Sequence, residues 1–135
     1  MNYSVIVDAV SIRNDRIMEV AERLATLLIR IGEAKRAVYE AQLAYDNGLT
    51  LAIYRESQKG AGNKLDGKNA EDRKLAREAF EIALRQGELK GLAAVLEVET
   101  RAKIELESEI ATLQASFEAM KIAQTGDVAI LNCRA

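Results

Sequence analysis

The chain contains no proline, histidine or tryptophan, and aromatic residues make up only 4% of its 135 residues. Without histidine there is no Ser-His-Asp triad, no Cys-His nucleophile pair, no His-containing zinc site and no Glu-x-x-His di-iron site. The single cysteine, Cys133, has no second cysteine to pair with, which excludes an intramolecular disulfide and favours a reduced thiol. We therefore expect a protein that is not an enzyme and holds no metal or cofactor.

Charged residues are plentiful, yet neither sign dominates: 19 basic and 21 acidic residues leave a net charge of -2. This balance does not favour nucleic acid as a partner, although a local basic patch could bind it. No apolar run approaches the roughly 18 residues of a membrane span. The first ten residues carry Asp8 and no base, which is unlike a secretory signal. We expect a single cytoplasmic domain, residues 1–135, with no membrane contact.

The absence of proline allows long uninterrupted helices, and the apolar residues follow a helical period. Apolar residues recur at every seventh position from Ile17 to Ala52, and a second set of apolar residues lies three positions after the first. This spacing is typical of a coiled-coil seam and predicts helix A over residues 14–58. The weakest point is Asn47-Gly48, but the apolar face continues beyond it, so we expect the helix to continue too.

One segment reads clearly as a loop: residues 59–68 contain three glycines together with asparagine and aspartate. Asn69 follows as a candidate N-cap, and helix B is predicted over residues 69–124. Gly126 is the expected C-terminal stop. The predicted seam of helix B comprises Leu75, Ile82, Leu89, Leu96, Ile110 and Phe117.

Two long helices joined by a short loop predict an all-α antiparallel hairpin, coiled-coil-like. Residues that face each other in such a hairpin have a constant sum of residue numbers, and matching the two seams gives 127, for example Ile17 with Ile110. The hairpin brings the end segments 1–13 and 125–135 together. Their β-prone runs, residues 3–7 and 128–131, either pair as a small ribbon, cap the bundle as coil or, at the N-terminal end, extend helix A.

Helix B carries a second apolar stripe on the side opposite its seam. A helix that is apolar on two faces must be buried on both, which predicts a homo-oligomer, most simply a dimer that forms a multi-helix bundle. Two glycines four residues apart indicate close approach by another helix, or else a flexible point. The predicted interface comprises Phe80, Leu84, Gly87, Gly91, Val95, Val98 and Ala102.

The tip of the hairpin is basic, because seven bases outnumber four acids between Arg55 and Arg77. Such a tip can contact a phosphate backbone or an acidic protein partner; the plainer interpretation is an ordinary solvated loop with capping charges. The candidate contact residues are Lys64, Lys68, Arg73, Lys74 and Arg77.

The segment Gly67-Lys68-Asn69-Ala70-Glu71-Asp72-Arg73, between two long helices, resembles the GKNxxxR turn of small phage-encoded helical proteins. The resemblance implies an accessory role beside single-strand annealing or replication proteins and assigns no catalytic residue. Two functions follow as expectations. The first is a non-enzymatic interaction protein in phage DNA recombination or replication, which works through the tip. The alternative is a structural or scaffolding coiled-coil oligomer that binds no nucleic acid.

Overall fold

The computed structural model describes the backbone of residues 3–134 and the side chains of residues 3–133. Within residues 3–134 there are three helices, in the order α1 (Tyr3–Ser57), α2 (Ala70–Gln86) and α3 (Lys90–Arg134). No strand occurs within residues 3–134, so the expected all-α class is confirmed. The β-ribbon considered for the two ends is wrong, because both runs are helical.

Helix α1 begins at Tyr3, eleven residues before the predicted start at residue 14, and it passes through Gly48 without interruption. The early start has a packing reason. Ile6 and Val10 are half-buried and extend the 3–4 spacing of the seam toward the N-terminus. In addition, the Gln124 side chain donates a hydrogen bond to the Val10 carbonyl, 3.0 Å from Nε2 to O. Contacts with α3 therefore stabilise a turn that β-branched residues alone disfavour.

The opposite end shows the same effect, since α3 continues past Gly126 to Arg134 and the predicted stop is wrong. Gly126 is exposed, while Gln124, Asp127 and Leu131 are half-buried and continue the inward-facing row. A glycine within a helix costs about 1 kcal/mol relative to alanine. Packing of the inward-facing row outweighs this cost.

Replacing Gly126 with alanine is expected to raise the free energy of unfolding by about 1 kcal/mol, because the glycine penalty disappears. A Cβ atom at this position meets nothing within 4 Å. Gly48→Ala is the control: its Cβ would lie 2.9 Å from Leu89 Cδ2 and 3.1 Å from Leu92 Cδ1. Urea denaturation of both variants should show a clear gain only for Gly126→Ala; equal gains would contradict the packing assigned to Gly48.

The predicted continuous helix B is also wrong, because residues 87–89 interrupt it. Leu84 and Leu89 are 8% and 2% exposed. Five residues along a continuous helix would place them about 140° apart. The break brings both into one core, and the Leu89 N–H donates to the Leu84 carbonyl at 2.8 Å across it. Burial of two leucines thus explains the interruption.

The chain divides into two compact units, where the sequence suggested one domain. Unit 1 comprises residues 1–33 and 103–135, and unit 2 comprises residues 34–102. Helices α1 and α3 contribute to both units, whereas α2 lies entirely in unit 2.

In unit 2, α2 packs with the face opposite to the predicted one. Leu75 and Ile82, assigned to the seam, are 57% and 59% exposed. Leu84 is buried instead, and Phe80 packs against the same cluster. The buried centre consists of Tyr45, Ala52, Leu84 and Leu89, surrounded by Leu49, Phe80, Leu92, Ala93 and Leu96.

In unit 1, the ends of α1 and α3 pack in antiparallel order. Arg13 Nη1 lies 2.5 Å from Asp127 Oδ2, and Arg23 Nη2 lies 2.7 Å from Glu109 Oε1. These pairs sum to 140 and 132, so the predicted sum of 127 is wrong. Residues 70–86 form a separate helix, so α3 pairs with α1 in a different register from that of one continuous helix B. Among the residues of unit 1 whose side chains are described, the buried apolar ones are Leu24, Leu27, Ile31 and Ile110.

Candidate functional site

The loop between α1 and α2 is held by its own polar groups. Gly60 and Gly62 have φ of 76° and 83°, a left-handed conformation that glycine adopts without steric cost. Asn63 Nδ2 donates to the Gly60 carbonyl at 2.8 Å, and Asn63 Oδ1 accepts from the Leu65 N–H at 2.8 Å. Each of these hydrogen bonds joins residues two or three positions apart, so the loop has a defined local geometry.

Glu56, in the last turn of α1, joins this loop to the helix although it is only 5% exposed. Its carboxylate accepts the Lys64 N–H at 2.8 Å and lies 2.8 Å from Lys59 Nζ. The bond from Lys59, followed by the Lys64 N–H, holds the pKa of Glu56 below its ordinary value of 4.5. The ion pair and the hydrogen bond offset the cost of burying the charged carboxylate.

Replacing Glu56 with glutamine is expected to loosen the loop, because the neutral amide cannot form an ion pair with Lys59. A lowered pKa contributes stability that is present above the unfolded value and is lost as pH falls through the folded one. In the wild-type protein, the protection of loop amides from hydrogen exchange should therefore fall below about pH 4.5. In the variant, these amides should exchange faster already at neutral pH. Amide hydrogen exchange of residues 58–69 measures both. Glu78→Gln, at an exposed position, is the control; equal exchange in the two variants would contradict this role.

The start of α2 is built by local chemistry. Asn69 Oδ1 accepts the Asp72 N–H at 2.8 Å, which confirms the predicted N-cap. Gly67 approaches the first turn closely: a Cβ there would lie 2.7 Å from the Arg73 backbone nitrogen. Only glycine fits this contact, so Gly67 and Asn69 together set the position at which α2 begins.

The five predicted tip cations all lie at the surface, two on the loop and three in the first turns of α2. Within the part of the chain whose side chains are described, none of the five makes an ion pair. Residues 64–77 contain these five bases and three acids, so the net charge of this segment is +2. One of these acids, Asp66, accepts the Gly62 N–H at 3.4 Å. The five side chains are free to meet an anion.

The residues predicted as an oligomer interface do not share one face. Leu84 is buried within the chain and Phe80 packs beside it. Gly87 lies in the break, so it does not continue the helix that carries Gly91. Val95 and Val98 are 52% and 62% exposed, as is Gly91, whereas Ala102 is half-buried. The break at residues 87–89 divides the predicted stripe into an inward and an outward part.

Sequence reasoning missed a polar cluster around Tyr45, which is only 3% exposed. Its hydroxyl donates to Glu81 Oε1 at 3.0 Å and accepts from Arg85 Nε at 2.9 Å. The Arg85 guanidinium also lies 5.1 Å from the centre of the ring. Burial, and then the bond to Glu81, raises the pKa of Tyr45 above 10.0. The i,i+4 spacing of Glu81 and Arg85 was the available signal.

Replacing Tyr45 with phenylalanine is expected to lower the free energy of unfolding by about 1 kcal/mol, because Glu81 and Arg85 lose their shared partner. A raised pKa contributes stability that is present below the unfolded value and is lost as pH rises through the folded one. Wild-type protein should therefore lose stability above about pH 10, and part of this loss should vanish in the variant. Thermal melts from pH 8 to pH 11 test this; identical alkaline profiles would contradict it.

Other chemistry is sparse. Within residues 3–133 no group of three or more cysteine, aspartate or glutamate side chains is arranged to hold a metal ion. Across the described helices, none is long and apolar enough to cross a membrane. No family model, curated protein or solved structure matches the chain.

Proposed function

We propose that the protein is a non-enzymatic interaction protein whose tip binds the phosphate backbone of nucleic acid. The observation that carries this proposal is the set of five exposed cations, none of which forms an ion pair with a side chain of residues 3–133. Two of them lie on the loop that Glu56 and Asn63 hold in a defined conformation, and the other three lie in the first turns of α2. Cations that are not already paired retain their full charge for a polyanion.

The net charge of -2 does not oppose such binding. At physiological salt, exposed charges farther apart than about 8 Å are largely screened from each other. A phosphate at the tip therefore responds to the local charge and not to acids elsewhere on the chain. The contacts would be backbone contacts, which give affinity without sequence preference.

The test is binding to a labelled single-stranded oligonucleotide at several salt concentrations. Five phosphate contacts predict a slope of about -3.5 for the logarithm of the binding constant against that of salt. Reversing the charge at Lys68 and Arg73 together should make the slope less steep by at least about 1.4, since two phosphate contacts are lost. The matched control reverses two exposed lysines outside the tip, Lys35 and Lys90.

Loss of binding in the tip variant, with binding retained in the control, supports the proposal. Equal loss in both variants would mean that the oligonucleotide responds only to total charge, and absence of binding by wild-type protein would overturn the proposal.

The biological setting is part of the proposal. The GKNxxxR resemblance supports a cytoplasmic accessory role in phage DNA recombination or replication.

The antiparallel contacts within unit 1 support a helical hairpin with coiled-coil character, which we propose to be a homo-oligomer. An acidic protein surface is the other partner that suits the tip.

A second candidate is a structural or scaffolding oligomer that binds no nucleic acid. The observation that favours it is the outward part of the predicted stripe, where Val95 and Val98 stand exposed. Sedimentation that shows assembly, together with no oligonucleotide binding at low salt, would favour this candidate over the first. Weaker assembly on Val98→Glu would assign it to this stripe.

A further inference from the structure

Helix α2 has two apolar faces, and only one of them packs within unit 2. Phe80 and Leu84 lie in or against the core cluster. On the other side of the helix, Leu75 and Ile82 are 57% and 59% exposed. Each face thus carries two large apolar side chains. A helix with two comparable faces can dock with either one, so the choice depends on what else each arrangement satisfies.

The exposed face of α2 is in line with the inward row of α3. Leu89 and Leu96 belong to the core of unit 2. Ile82 and Leu75 precede Leu89 by seven and fourteen residues. Seven residues of a regular helix end within about 20° of two full turns. If residues 87–89 were helical, Ile82 and Leu75 would therefore lie on the inward side.

The break between α2 and α3 satisfies its own backbone donors. The Leu84 carbonyl accepts the N–H groups of Gly87 and Leu89, at 3.1 and 2.8 Å. The Lys90 N–H donates to the Gly87 carbonyl at 3.2 Å. A regular helix would give the same N–H groups carbonyl partners four residues back. The backbone thus has partners in either form, and the loop of residues 58–69 lets α2 turn without turning α1.

We propose that α2 has two positions and turns about its own axis between them. In the first position, which the structure shows, residues 87–89 interrupt the helix and Leu84 points inward. In the second position α2 and α3 form one continuous helix, and Ile82 takes the inward place of Leu84. Positions 84 and 89 are about 140° apart on a continuous helix, which gives the size of the turn.

The Tyr45 hydroxyl selects the first position. It is buried, donates to Glu81 and accepts from Arg85. A turn of α2 by about 140° carries both partners away and leaves the hydroxyl unpaired. This is the main difference between the two positions, because the apolar faces and the backbone bonds are comparable. We expect the second position to be a minor population, on the order of 1%.

Turning α2 also rearranges the tip. Arg73, Lys74 and Arg77 lie on α2 and turn with it, whereas Lys64 and Lys68 lie on the loop. The two positions therefore hold the five cations in different arrangements, which makes α2 a device that regulates what the tip binds. This consequence rests on the proposed function, but the existence of the two positions does not.

Cysteine alkylation tests the two positions in a chain from which Cys133→Ser removes the native thiol. Leu84→Cys places a thiol on the inward side of α2 and Ile82→Cys places one outside, and each is treated with iodoacetamide without nucleic acid. Adding Tyr45→Phe should raise the rate at position 84 about 10-fold, because the first position loses its polar selection. Tyr39→Phe, at a 68% exposed position, is the matched control and should change neither rate.

Gly87→Ala examines the direction of the movement, because alanine favours a continuous helix over glycine by about 5-fold. Combined with Tyr45→Phe, it should raise the rate at position 84 about 30-fold and lower the rate at position 82 by about a third. Ala52→Cys, in α1, is a control for detachment of α2. Ala52 is 4% exposed in the core cluster, and the inward side of α2 covers it in both positions. Its thiol should react slowly in every variant.

A rate at position 84 that neither substitution changes would overturn the two positions. Equal increases at positions 84 and 52 would do the same, because α2 would then detach or unit 2 unfold. An unchanged rate at position 82 in the combined variant would also overturn them, since α2 would not have turned that side inward.

Oligonucleotide binding by the combined variant decides the regulation separately. Altered alkylation rates together with an altered affinity support it, whereas altered rates with an unchanged affinity would overturn the regulation and leave the two positions standing. If the wild-type protein binds no oligonucleotide, the tip proposal fails, and the alkylation rates still decide whether α2 turns.

Discussion

Replacing Leu27 with alanine is expected to lower the free energy of unfolding by about 2–5 kcal/mol, the largest loss for any single truncation in unit 1. Leu27 is the one side chain, among those described, that is fully buried at 0% exposure. Its loss removes the transfer free energy of the side chain and leaves a cavity that the surrounding structure fills only in part. Urea denaturation followed by circular dichroism measures the effect.

The control is Ile12→Ala, on the same helix at a position that is 64% exposed. It should change the free energy of unfolding by no more than about 0.5 kcal/mol, as is usual for surface positions. If both truncations cost the same, the inward face of α1 is not the one described above.

Replacing Leu84 with alanine is expected to cost about 2–5 kcal/mol, whereas Ile82→Ala should cost less than about 1 kcal/mol. The two positions are close in sequence but lie on opposite sides of α2. Leu84 is 8% exposed within the core of unit 2, and Ile82 is 59% exposed. The same denaturation experiment decides between them.

This pair of variants separates two arrangements of the same residues. If helix B were continuous, Ile82 would lie in the seam and its truncation would be the costly one. A larger loss for Ile82→Ala than for Leu84→Ala would therefore contradict the break at residues 87–89 and support the continuous helix.

Much of the candidate site was predictable, because its parts depend on local chemistry. Glycines and Asn63 identify the loop, and the Asn69 cap follows from a side chain that reaches a backbone N–H three residues away. The exposed cations follow from composition. Glu56 was not predictable, since nothing in its spacing shows that the Lys64 N–H returns to it across eight residues.

The sequence by itself determined the all-α class, the inward face of α1 and the start of α2. Each follows from interactions that act within a few turns: no proline interrupts the helices, apolar residues recur at a helical spacing, and Asn69 caps its own helix. Such rules hold whatever the rest of the chain does.

Only the tertiary structure decided where α1 begins, where α3 ends, where helix B breaks and which face of α2 is buried. The two faces of α2 are both apolar, so its sequence permits either orientation. Glu81 and Arg85 satisfy the buried Tyr45 hydroxyl, and they lie beside Phe80 and Leu84 on the helix. Turning the other face inward would leave that hydroxyl without partners, a cost of about 1–3 kcal/mol. Which face of α2 is buried therefore depends on Tyr45 of α1, and no pattern within the sequence of α2 contains that information.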